Sequence, residues 1–168
     1  MKHIGTQVLN FRVPALVDRQ ITYLPGQQFL GQFVALCFVP DAQYLSPALI
    51  EYAAAQFQRV GATLTMVGST RRPLHRLWID QTHTVCVPVL ADPCGRLHRT
   101  FGVAHHESAE RCRTFMIDTA GILWLRISHA FAERDLVTIR RIIEAVQQHP
   151  SSPTVLEDRP MTSQCLEA

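Results

Sequence analysis

The sequence predicts a three-layer α/β domain, and three observations carry that expectation. Residues 33–39 are a continuous apolar run, the pattern of a strand buried on both faces of a sheet, and 62–67 reads as a second buried strand. Between them Ser46 and Pro47 form a helix start, a hydroxyl at the N-cap and a ring at the first helical position. A closing segment at 132–148 repeats Leu136, Ile139, Ile143 and Val146 at helical spacing. Strands alternating with helices place helices on the faces of a sheet.

Taken in order, residues 6–13 and 20–24 read as short extended segments, with turn residues at Pro25, Gly26 and Gly31. After the strand at 33–39, which Pro40 ends, the helix from Ser46 places Leu49, Ile50, Ala53, Ala54 and Phe57 on one stripe and stops at Gly61. The strand at 62–67 follows, then a short helix at 73–80 with His75 and Trp78, and a third extended run at 85–90. Residues 92–95 form a turn and 97–101 a helical turn. Residues 114–118 and 122–128 flank Thr119, Ala120 and Gly121 as a hairpin. Residues 1–149 are thus expected to form one domain. The rest, 150–168, holds Pro150, Pro153 and Pro160 among polar residues, with too little apolar surface to fold alone, and reads as a flexible tail carrying Cys165.

Composition narrows the class. The 168 residues are 47% hydrophobic and 18% charged, enough to bury a core. A net charge of +2 is too small to favour nucleic acid or an anionic membrane as partner. The apolar run at 33–40 is far shorter than the roughly 20 residues that span a bilayer, and 1–5 lacks signal-peptide architecture, so a cytoplasmic location is expected. The five cysteines form no CxxC pair and no zinc spacing. They read as free thiols, with no metal and no cofactor.

Several segments then line up in one order. They are Ile4-Gly5 with Asn10-Phe11, the strand ending at Pro40, Ser46-Pro47 opening a helix, and Ser69-Thr70 before His75 and Trp78. VPVLADPCG at 87–95, Phe101-Gly102-Val103, and TFMID at 114–118 with Gly121 follow. In this order, over roughly residues 4–149, the chain resembles the peroxiredoxins of the alkyl hydroperoxide reductase and thiol-specific antioxidant type. The resemblance implies a thioredoxin-like fold with a central mixed sheet flanked by helices, a peroxide substrate, a thioredoxin-like reductant, and a homodimer or ring of dimers.

The family's chemistry uses a cysteine thiolate at a helix N-terminus, where exposed N–H groups and the helix dipole lower the thiol pKa. The thiolate attacks the peroxide O–O bond, and the sulfenic acid condenses with a resolving cysteine. By the resemblance Pro40 is the leading proline of that loop and Pro47 the proline after the nucleophile, but Ser46 stands where the cysteine would be. A serine hydroxyl is scarcely ionised at neutral pH and forms no sulfenic acid. Gln43 occupies the threonine position, the loop is one residue short, Leu49 replaces a glutamate, and Cys112 falls on the arginine position between Arg111 and Arg113.

Three accounts of Ser46 follow: natural loss of the site, an engineered replacement of cysteine in an active enzyme, and thiol chemistry relocated elsewhere. Ser46 as a plain N-cap needs no catalysis at all. Cys112, between two arginines, reads either as a displaced nucleophile or as a buried small residue. Cys165 lies in the tail where two-cysteine members keep a resolving thiol, although no proline follows it. Cys37 and Cys86 read as core and Cys94 as a turn thiol; His105, His106 and Glu107 read as solvated side chains rather than metal ligands. The alternation at 123–127 suits an edge strand forming a dimer seam, or an internal strand under the last helix. The functions that remain are a binding or assembly module with a lapsed peroxidatic site, a thiol peroxidase, and a redox sensor acting through Cys112 or Cys165.

Overall fold

The computed structural model describes residues 2–18, 20–39, 45–68, 87–103 and 111–148. Strand β3 (Phe33–Val39) is buried along nearly its whole length, and the architecture supplies a cover for each of its faces. It lies inside a seven-stranded sheet with β1 (Arg12–Val17), β2 (Gln20–Pro25), β4 (Ala62–Gly68), β5 (Val89–Ala91), β6 (Cys112–Ile117) and β7 (Leu123–His129). The order is β2-β1-β5-β4-β3-β6-β7. β3 pairs in parallel with β4 and antiparallel with β6, so the sheet is mixed, as expected.

Alternation along each strand divides the core in two. Ala35, Cys37 and Val39 face one side, where Ile50, Ala53 and Phe57 of α1 (Pro47–Gln58) meet them. Leu136, Ile139 and Ile143 from the last helix, Glu133–Gln148, complete that layer. Arg140 of this helix donates from Nε to Gln56 at 3.0 Å, and Gln147 donates to the Val60 carbonyl at 3.0 Å, tying the two helices together. Val34, Leu36 and Phe38 face the other side. There Phe38, Phe101 and Phe115 stack edge to face or tilted, with centroids 5.0–5.4 Å apart, over the short helix α2 (Arg96–Phe101), which makes Glu133–Gln148 α3.

The start of the chain departs from expectation. Of the extended segment predicted at 6–13, Gln7 makes a single bridge to Ile122, and the first strand begins only at Arg12. Gly5 donates to the Leu123 carbonyl and Leu123 to that of Thr6, so the chain starts beside β7, and Val8 and Leu9 are buried in the Phe38 layer on its way to β1. The segment's hydrogen bonds are thus spent crossing a face of the sheet rather than extending an edge. The remaining elements agree within a few residues where they are described, and of the run predicted at 85–90 the described part enters its strand at Val89. The predicted helix at 73–80, Cys86, and the predicted tail at 150–168 lie outside the described residues.

Two turns set the ends of these elements. In the β6–β7 hairpin, Asp118 Oδ1 accepts from the N–H groups of Ala120 and Ile122, and Gly121 takes φ +79°, a conformation that favours glycine. After β5, buried Asp92 accepts from the His98 backbone at 2.9 Å and from His98 Nδ1 at 2.7 Å, anchoring the first turn of α2. Burial pushes this carboxyl up, but the hydrogen bonds from the His98 ring and from the backbone of His98 and Leu97 outweigh it and leave it below its ordinary value. A depressed value means a contribution that is complete above the unfolded-state pKa of about 4 and fades as pH falls through the lower folded value. Asp92→Asn is therefore expected to cost roughly 1–3 kcal/mol at neutral pH and less in acid, the difference being read from urea unfolding at both pH values.

Candidate active site

The N-terminus of α1 is built as the sequence predicts. Ser46 is extended at φ −71° and ψ 146°, Pro47 occupies the first helical position, and Ser46 Oγ accepts from the Leu49 N–H at 3.2 Å. The Ser46 carbonyl accepts from Ile50, closing the first turn. Ser46 is exposed, and its hydroxyl is engaged as a helix cap. Pro40, Gln43 and Cys165 lie outside the described residues, as do His75, Trp78, His105, His106 and Glu107.

Cys112 is where the structure adds most to the sequence. It is buried at the first position of β6, cross-strand from His129 of β7. The two arginines expected to favour its thiolate do not face it. Successive strand residues point to opposite faces, so Arg113 reaches the Gly102 carbonyl on the α2 side, and Arg111 is exposed. Its hydrogen bond with Cys37, together with burial, instead pushes the Cys112 thiol up, which counts against its reading as a displaced nucleophile.

Cys37, which reads as core in the sequence, has partners. Its register partner on β6 is Thr114, and its sulfur is within hydrogen-bonding reach of Cys112, His129 and Thr114. Hydrogen bonding from Cys112, opposed by burial and aided by His129 and Thr114, holds the Cys37 thiol well below the ordinary range. His129 Nδ1 lies 2.8 Å from the Ala130 carbonyl, which can only accept, so Nδ1 carries a proton and donates it. In the neutral ring Nε2 is then the acceptor, and it lies 2.8 Å from Thr114 Oγ1. Burial alone would push the imidazole down, but its hydrogen bond to Cys37 and the negative charge there raise it. The arrangement is a buried thiol pair with one acidic member, one proton-holding member and an oriented imidazole.

The sequence signal for this group was weak. Cys37, Cys112, Thr114 and His129 come from three strands, and only the β3–β6–β7 register puts them on one face. Cys94 is exposed in the turn before α2, as expected. Among the described residues no three His, Cys, Asp or Glu side chains converge as a metal site, and no helix is long and apolar enough to cross a membrane. Among the described residues β7 lies at the edge of the sheet, so its reading as an internal strand is not upheld, although Leu125 does pack in the layer that the last helix covers.

Because Ser46 caps only its own helix, Ser46→Ala is expected to lower stability by about 1 kcal/mol while Ser46→Asp leaves it nearly unchanged, as measured by denaturant midpoints.

Residues 4–125 match the family model described as the AhpC/TSA family. The chain is 26% identical over 165 residues to Peroxiredoxin TSA1 of Saccharomyces cerevisiae, covering 91% of this chain and 84% of that protein. Among solved structures, Enterococcus faecalis AhpC superposes with a TM-score of 0.68 at 21% identity, over 90% of this chain and 98% of that one. Plasmodium yoelii Prx1a modified at the N-terminus, described as forming an artifactual octamer, superposes with a TM-score of 0.69 at 20% identity, over 91% and 96%. The fold they share with this chain is thioredoxin-like.

Proposed function

The chain belongs to the AhpC/TSA family, and from that premise we propose that it is a peroxiredoxin-fold module whose helix-terminal peroxidatic position is silent. The single observation that carries this is the hydrogen bond from the Leu49 N–H to Ser46 Oγ. The position that resemblance assigns to the attacking thiolate is filled by a neutral hydroxyl serving as a cap, and a hydroxyl cannot enter the sulfenic acid cycle. The departures at Gln43, Leu49 and Cys112 support loss of the whole site rather than a single exchange. In this reading the chain works as a binding or assembly module in the cytoplasm, as a homodimer or ring of dimers. The edge strand β7 offers to a second copy the backbone groups beyond Leu123, whose own N–H and carbonyl are taken by Thr6 and Gly5.

The other reading is a thiol peroxidase in which Ser46 replaces cysteine and Cys165 resolves. The family match and the intact helix start, with Pro47 at its first position, support it.

Peroxide consumption with a thioredoxin system separates the two. Ser46→Cys is compared with serine at that position, both in a Cys37→Ser background so that only position 46 is read. The silent-site reading predicts turnover in the cysteine form roughly a hundredfold or more below that of a complete site, since Gln43 and Cys112 do not supply the donors that stabilise the breaking O–O bond. Fast turnover would establish the peroxidase reading instead.

A further inference from the structure

The buried group on the α1 side of the sheet is a site of its own. Cys37 on β3, Cys112 and Thr114 on β6, and His129 on β7 share one face, each almost entirely shielded from solvent. A thiol that served only as core filling would need no imidazole. Here the ring is held by its Nδ1 proton on the Ala130 carbonyl, with Nε2 2.8 Å from Thr114 Oγ1 and the Cys37 sulfur beside the ring. Phe131 lies beside the ring and helps close the site.

We propose that Cys37 and Cys112 are a redox pair that hydrogen peroxide converts to an intramolecular disulfide, with His129 as the proton acceptor for Cys37. Peroxide is close to water in size, and Cys112, the outer member of the pair, lies next to exposed Arg111 at the start of β6. His129 Nε2 takes the Cys37 proton, and the thiolate attacks one peroxide oxygen. The O–O bond breaks, Cys37 becomes a sulfenic acid, and the departing hydroxide recovers the proton from His129 and leaves as water. The Cys112 sulfur then attacks the sulfenic sulfur, the S–O bond breaks, and a second water leaves with the Cys112 proton. Two thiols and one peroxide thus give one disulfide and two waters, each sulfur losing one electron and the peroxide gaining two.

The strand geometry permits the closure. Cys37 faces Thr114, so Cys112 is its diagonal neighbour, somewhat far for a relaxed disulfide. Cys112 lies one residue past the last β3–β6 pair, Phe38 with Arg113, so its sulfur can approach without separating a pair of that ladder. The same geometry makes the bond strained and readily reduced, the property of a regulatory rather than a structural disulfide. The proposal does not rest on position 46 being silent, and its test leaves Ser46 in place.

The test treats the reduced, full-length chain with stoichiometric hydrogen peroxide, alkylates remaining thiols after unfolding, and maps peptides without reductant. The expected result is a Cys37–Cys112 cross-link, with Cys112→Ser stopping at a Cys37 sulfenic acid that a dione probe captures. His129→Gln is expected to slow formation of the cross-link roughly ten- to a hundredfold while its final yield and the circular dichroism spectrum are unchanged, a separation that a merely structural role would not produce. The proposal is overturned if Cys37 and Cys112 both stay alkylatable at doses that oxidise exposed Cys94, or if either thiol pairs instead with Cys94 or Cys165. If the histidine variant forms the cross-link at the rate of the parent chain, His129 loses its assigned role.

Discussion

The fold depends on the pairing of β3 with two neighbours of opposite sense. β4 runs parallel to it and β6 antiparallel, and both ladders are in register along almost the whole strand. One consequence is that odd-numbered residues of β3 are committed to the layer under α1 and even-numbered residues to the Phe38 layer. A slip by one residue would bury Cys37 among the phenylalanines and remove it from Thr114. Core packing and the position of the buried thiols are therefore the same constraint seen twice.

The site at the start of α1 and the cluster beneath it solve opposite electrostatic problems. At the helix end, exposed N–H groups offer positive potential, and Ser46 answers with a neutral oxygen that satisfies one of them without carrying charge. In the sheet, desolvation penalises charge on a thiol, and Cys112, His129 and Thr114 together outweigh that penalty at Cys37. Cys112 stands where resemblance expects an arginine.

Much of the fold was legible in the sequence because its signals are local. A continuous apolar run marked β3, Ser46-Pro47 marked α1, and the Asp118 to Gly121 turn marked the last hairpin. The path of residues 6–11 was not legible, because the bonds of that segment go to Gly121 and Leu123, more than a hundred residues away. The candidate site divides in the same way. The cap role of Ser46 follows from neighbours in the chain. The partnership of Cys37 does not, since each of its partners reaches it through strand pairing, and a cysteine in an apolar run looks the same whether its sulfur meets leucine or imidazole. The flanking arginines of Cys112 misled for a related reason: adjacency in sequence puts them on the wrong side of a strand or in solvent.

The central claim is that the reactive thiol of this chain lies in the sheet and not at the helix end. The infrared S–H stretching region of the reduced protein tests it directly, by difference between the parent chain and Cys37→Ser at neutral pH. The account predicts that the substitution removes an S–H band displaced to low frequency, or almost no S–H intensity, because the Cys37 proton is shared with the His129 ring. Loss of a band at the ordinary, unbonded S–H frequency on that substitution would mean that Cys37 is an ordinary buried thiol, and would contradict the account.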